Sequence, residues 1–119
     1  MKTYFLLLIF SLLSTFQLSA AVNNEFRFRH FTVEDGLSSN GVRGIVQDKQ
    51  GYIWFGTDNG LNRYDGKDIK EYRIDNLGIN ENIYTLYATD NMLWIGTEKG
   101  LYTFNFETEK IEFFNIHTS

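Results

Sequence analysis

The sequence predicts an all-β fold: two four-stranded antiparallel units, each a β-propeller blade, forming an incomplete propeller behind an N-terminal signal peptide. Three observations carry the prediction. Residues 51–65, GYIWFGTDNGLNRYD, return as residues 91–105, NMLWIGTEKGLYTFN. Trp54, Gly56, Thr57, Gly60 and Leu61 recur as Trp94, Gly96, Thr97, Gly100 and Leu101, a period of 40; four short strands per roughly 40–45 residues is the spacing of a propeller blade. Aromatic residues make up 17% of the 119 residues, with ten glycines and no proline, a composition for strands joined by Gly, Asn and Asp turns. Finally, the chain opens with a basic residue, an apolar run and small residues, the order of a secretory leader.

That leader spans residues 1–21. Lys2 precedes an apolar run over 4–13, and Leu18-Ser19-Ala20-Ala21 closes it. The run is shorter than the ~20 residues that cross a bilayer. Small residues at Ser19 and Ala21 place cleavage after Ala21, with cleavage after Ala20 and an uncleaved anchor as the competing readings. Cleavage leaves no membrane segment and removes Lys2, so ten basic side chains face fifteen acidic ones. The formal charge of −4 is mixed along the chain, and no basic run marks a nucleic-acid partner. Zero cysteines exclude disulfides and thiolate metal sites.

Residues 22–41 read as a lead-in strand and loop. Phe26 and Phe28 alternate with Arg27 and Arg29 as on a half-buried strand, which ends near His30 because Phe31 breaks the alternation. The turn-rich loop 34–41 follows. Blade 1 occupies 42–75, with strands at 42–48, 52–57, 61–65 and 68–74. Gly44 inside the first strand suits an innermost position where blades crowd the axis. Asp48 to Gly51, Asp58-Asn59-Gly60 and Asp65-Gly66 supply the three turns, Asn-Gly being the strongest local hairpin signal. The polar segment 75–82 connects to blade 2 at 83–116, with strands at 83–88, 92–97, 101–106 and 110–116. Its last hairpin, at 105–109, is two residues longer than its counterpart, an insertion that a loop absorbs at little cost. Residues 117–119 begin the next inter-blade linker. Two blades leave aromatic faces and strand edges uncovered, so the expected partners are the remaining blades, and the chain reads as the front of a longer protein or a truncated product of one.

The residues that invite a chemical role have a plainer reading. Trp54 and Trp94 have faces suited to stacking a sugar ring, but identical places in two repeats point to packing between blades. Gly56, Gly60, Gly96 and Gly100 lack the strand-to-helix step and Lys-Ser/Thr pair of a phosphate cradle and read as turn or close-approach glycines. Thr57 and Thr97 are placed to satisfy backbone groups near turns. Asp48, Asp58, Asp65, Asp68 and Asp90 lie beside Gly or Asn at turns, without calcium-loop spacing. His30 and His117 have no ligand partner at i+3 or i+4, and Ser38 and Ser39 have no nucleophile elbow. No catalytic residue, cofactor or metal site is expected. The loops 34–41 and 75–82 are the candidates for ligand contact, because a rigid propeller presents its connections at its rims.

At residues 45–72, IVQDKQGYIWFGTDNGLNRYDGKDIKEY, the chain resembles the two-component regulator propeller repeat of the periplasmic sensor region of Bacteroides-type hybrid two-component systems. Residues 26–42, FRHFTVEDGLSSNGV from Phe28 onward, resemble the segment that introduces the first such blade. Unit 2 departs where Asp48 and Gly51 become Ala88 and Asn91, and where the Tyr-Asp-Gly turn becomes Phe104-Asn105-Phe106. The resemblance implies an exported, periplasmic sensor of oligosaccharides, with further blades, a membrane span, a histidine kinase and a DNA-binding regulator. It also implies that residues 26–31 supply the outer strand of a closing blade. No ligand-binding residue carries over, because the motif is a scaffold motif. The alternatives are a segment of an exported propeller enzyme such as a streptogramin-type lyase, or a truncated product without function.

Overall fold

The computed structural model describes residues 2–13, 25–73 and 82–115. Expected features at Ala21, Ile74, His117 and most of the 75–82 connection lie outside these residues.

Lys2–Leu13 forms a 12-residue helix, α1. Among the described residues no helix is long and apolar enough to cross a membrane. The expected lead-in strand is absent: residues 25–32 pair with no strand, and Phe26 and Phe28 are 85% and 87% exposed. Alternation alone does not make a strand, because backbone groups need a partner ladder, and the described residues offer none to this segment. Instead the chain turns through a single 3-10 turn, Val33–Asp35, capped at Thr32: the Thr32 side chain accepts from Glu34 N and the Asp35 carboxylate accepts from Thr32 N.

The remainder is two four-stranded antiparallel sheets, each in simple up-and-down order. Blade 1 comprises β1 (Val42–Gln47), β2 (Ile53–Thr57), β3 (Gly60–Tyr64) and β4 (Ile69–Tyr72). Blade 2 comprises β5 (Ile83–Ala88), β6 (Met92–Thr97), β7 (Gly100–Asn105) and β8 (Ile111–Phe113). The outer strands β4 and β8 are shorter than expected, at four and three residues. The tight turns use left-handed glycine where the chain must reverse: Gly51 has φ +91°, Gly60 +122° and Gly100 +137°.

A bulge at the same place in each innermost strand, between Val42 and Gly44 and between Ile83 and Thr85, brings the register of the two blades into correspondence. One cross-strand row of blade 1 is Val46, Trp54, Arg63, Lys70, and the next is Gly44, Gly56, Leu61, Tyr72. These rows face blade 2. The face that meets them carries Leu86, Ile95 and Tyr102 in one row and Ala88, Leu93, Phe104 and Ile111 in the other. The core is therefore the seam between blades: Trp54, Leu61, Ile83, Leu93, Ile95, Tyr102 and Phe104 form one buried cluster. A blade has no interior of its own, and burial comes from stacking.

Candidate functional site

The repeated residues of blade 1 assemble into the seam and its turns, while Trp94 and Leu101 lie on the far face of blade 2. Trp54 is fully buried, with Tyr72, Phe104 and Phe106 at ring distances of 5.3, 4.9 and 6.0 Å. Its indole Nε1–H donates to Asp48 Oδ2 at 2.8 Å. Asp48 Oδ1 meanwhile accepts from Gln50 N and Tyr52 N, shaping the β1–β2 turn. One buried carboxylate thus ties the turn to the indole. The Arg63 guanidinium lies over the rings of Tyr52, Trp54 and Tyr72 at 4.6, 5.7 and 5.4 Å. Trp94 is only half-buried and meets Phe114 edge-on at 4.9 Å; the register puts Thr89, not the expected Ala88, at the Asp48 position, where its Oγ1 accepts from Met92 N as Asp48 Oδ1 accepts from Tyr52 N.

Gly56 and Gly96 are close-approach positions. A Cβ at Gly56 would run into Ile83 Cγ2, and one at Gly96 would lie 2.6 Å from Thr85 Cγ2. Thr57 and Thr97 serve the β2–β3 and β6–β7 turns alike: their hydroxyls donate to Gly60 O and Gly100 O and accept from Asn59 N and Lys99 N. Thr57 and Asn62, both fully buried, also bind Ser38, whose Oγ lies 2.9 Å from Thr57 Oγ1 and 2.7 Å from Asn62 Nδ2. The 34–41 loop is thereby fastened to blade 1, and Ser39 Oγ accepts from Gly41 N. Leu61 is fully buried and Leu101 half-buried. Asp65 makes its turn by accepting from Lys67 N and Asp68 N, bonds that lower its carboxyl pKa. His30 is exposed, and among the described residues no three His, Cys, Asp or Glu side chains are grouped to hold a metal.

An open groove lies on the other rim from the 34–41 loop. Gln50 of the β1–β2 turn, Asp90, Asn91 and Met92 of the β5–β6 turn, and Asn105, Phe106 and Glu107 of the β7–β8 turn line an open groove of about 460 Å³. Amides and carboxylates alternate there with the Phe106 ring and the Met92 thioether. Lys49 of blade 1 and Asp90 of blade 2 bridge the same rim at 3.5 Å, both largely exposed. The signal for this groove in the sequence is the two-residue insertion at 105–109, which lengthens the wall it forms.

The same inserted turn also clamps the blades. Glu109, at φ +52°, accepts from Tyr72 Oη at 3.0 Å and lies 3.4 Å from Arg63 and 3.5 Å from Lys70. The Tyr72 hydrogen bond, and then the charges of Lys70 and Arg63, hold the Glu109 carboxyl below the usual range. Burial, with the Glu109 carboxylate adding to it, pushes the Tyr72 phenol up.

Two stacked four-stranded antiparallel sheets, sharing a tryptophan-centred seam and repeated turn chemistry, define a β-propeller repeat protein. Residues 36–59 match the two-component regulator propeller family. Histidine kinase P4 of Formosa agariphila is 51% identical over 53 residues, which is 44% of this chain and 4% of that protein. The extracellular domain of a hybrid two-component system from B. thetaiotaomicron is 30% identical, superposes with a TM-score of 0.65, and covers 76% of this chain and 14% of its own. The chain therefore spans a small part of either relative. The match and both relatives bear out the resemblance to the two-component regulator propeller repeat.

Proposed function

We propose that this chain contributes two blades, behind an export leader, to the periplasmic sensor propeller of a hybrid two-component regulator. The complete protein binds an oligosaccharide outside the inner membrane and signals to a histidine kinase. The carrying observation is the 30% identical extracellular domain, which covers 76% of the chain; the identity to a histidine kinase supports it from a second relative. The rim groove adds a chemical reason. Planar amides and carboxylates pair with vicinal hydroxyls, and the Phe106 and Met92 surfaces suit the C–H face of a sugar. In this reading Trp54 holds the β1–β2 rim turn in place through Asp48, and neither repeated tryptophan touches the ligand.

The test is the coding sequence beyond Ser119. A frame that continues through further Trp-x-Gly-Thr blades into a membrane span and a kinase supports the sensor. A frame that ends after about seven blades with no kinase contradicts it and favours the enzyme reading.

A further inference from the structure

The rim groove is framed by turns of both blades, so its walls are ones that this chain supplies. Its volume of about 460 Å³ falls within the ~300–1,000 Å³ of small-ligand sites. Short hydrogen bonds hold the turns that frame it. Phe106 N donates to Asn91 O at 3.1 Å and Glu109 N to Asn105 O at 2.9 Å. Asn105 Oδ1 accepts from Glu107 N and Thr108 N at 2.9 and 3.0 Å, and Gln50 N donates to Asp48 Oδ1 at 2.9 Å. The Phe106 ring is anchored against Trp54 and Phe104 at 6.0 and 6.1 Å. The walls are therefore set before a ligand arrives, and the Gln50 amide, Asn105 Nδ2 and the Glu107 carboxylate take no part in these bonds.

Charge in the groove is of one sign. Its ionisable lining residues are Asp90 and Glu107, both exposed. The cations of the same three turns are Lys49 and Lys110; neither lines the groove, and Lys49 is paired with Asp90 at 3.5 Å. The other acids of these turns are committed elsewhere, Asp48 to Trp54 and Glu109 to Tyr72, Arg63 and Lys70. Among the described residues Glu107 has no ion-pair partner. A uronate or a sulfate ester is recognised by a guanidinium or an ammonium set opposite it, and here it would meet carboxylates. An uncharged sugar needs only acceptors and donors for its hydroxyls, and a carboxylate accepts from two vicinal hydroxyls at once.

We infer that the rim groove takes an uncharged oligosaccharide and rejects one that carries uronate or sulfate groups. Glu107 accepts from the sugar hydroxyls, the Gln50 amide and Asn105 Nδ2 donate to them, and Phe106 lies under the C–H face of the ring. Like charge at Asp90 and Glu107 repels an anionic chain before it docks. The inference rests on the oligosaccharide reading above and adds to it the charge of the ligand and the wall that selects for it.

The test is a glycan array probed with the complete product of the reading frame that carries these residues, followed by calorimetric titration of the best binder. The array sets uncharged glucan, mannan and xylan oligosaccharides beside alginate, polygalacturonate and heparin fragments. Wild type is compared with Glu107→Lys and with Glu34→Lys, which makes the same charge change on the other rim. Both side chains are exposed, so neither substitution removes core. The expected result is binding of an uncharged glycan, weakened about tenfold or more by Glu107→Lys and unchanged by Glu34→Lys. Preference for an anionic glycan overturns the inference and leaves the oligosaccharide reading standing. So does binding of an uncharged glycan that is indifferent to Glu107→Lys, or weakened equally by both substitutions. Binding of no glycan overturns both.

Discussion

Trp54 and Trp94 show how one motif residue acquires two fates. Trp54 lies at the seam, sealed by Tyr72, Phe104 and Phe106 and hydrogen-bonded to Asp48; Trp94 lies on the open side of the stack. Trp54→Ala should therefore cost about 3–5 kcal/mol of folding stability, and Trp94→Ala about half of that or less, as read by urea unfolding. Equal losses would contradict the assignment of Trp54 to the seam. Asp48→Ala should cost about 1–3 kcal/mol, because it leaves a buried indole N–H without an acceptor. Gly56→Ala should cost about 1–3 kcal/mol, since its methyl group lands on Ile83, with loss of the cooperative transition as the extreme outcome and a neutral effect as the contrary one. The packing value of Trp54 was legible in its repetition. The Asp48–Trp54 bond was not, because it depends on how far the β1–β2 turn folds back over the second strand, and the Asp-Lys-Gln-Gly string shows only that a turn exists.

The hairpins were the legible elements. Asn-Gly, Asp-Gly and a 40-residue period place β2 to β4 and β6 to β7 within a residue or two of the observed bounds. The lead-in was misread at the same scale: Phe26, Arg27, Phe28 and Arg29 alternate like a strand, but strand formation is decided by a partner edge, which alternation does not report. The groove was overlooked because the candidate loops were chosen by length, whereas the concavity comes from short turns of two blades brought to one rim. The insertion at 105–109, visible in the repeat alignment, was the available clue, and it also carries the Glu109 clamp. Glu109 titrates below its ordinary value of 4.5 in the folded chain. Its contribution is fully present above that value and is lost as pH falls through the lowered folded pKa. Below about pH 4.5 the melting temperature of Glu109→Gln should therefore fall less steeply than that of the wild type, as followed by circular dichroism; parallel pH profiles would show that the clamp contributes nothing. Salt should narrow the difference, because the carboxylate is exposed and its cationic partners are screened.

At the scale of the molecule, stability depends on stacking. Each sheet buries one face against the other, and the rim turns stay open to solvent. Family and blade architecture were legible because a scaffold repeats its residues. The groove was not, because its residues Gln50, Asp90, Asn91 and Glu107 do not recur in register as a motif. The central claim is that these blades are exported to work outside the cytoplasm, and the intact mass of the chain recovered from the periplasmic fraction of an expressing bacterium tests it most directly. The account predicts a product that begins at Val22, after cleavage at Ala21. A product that retains Met1 and remains in the cytoplasm would contradict it.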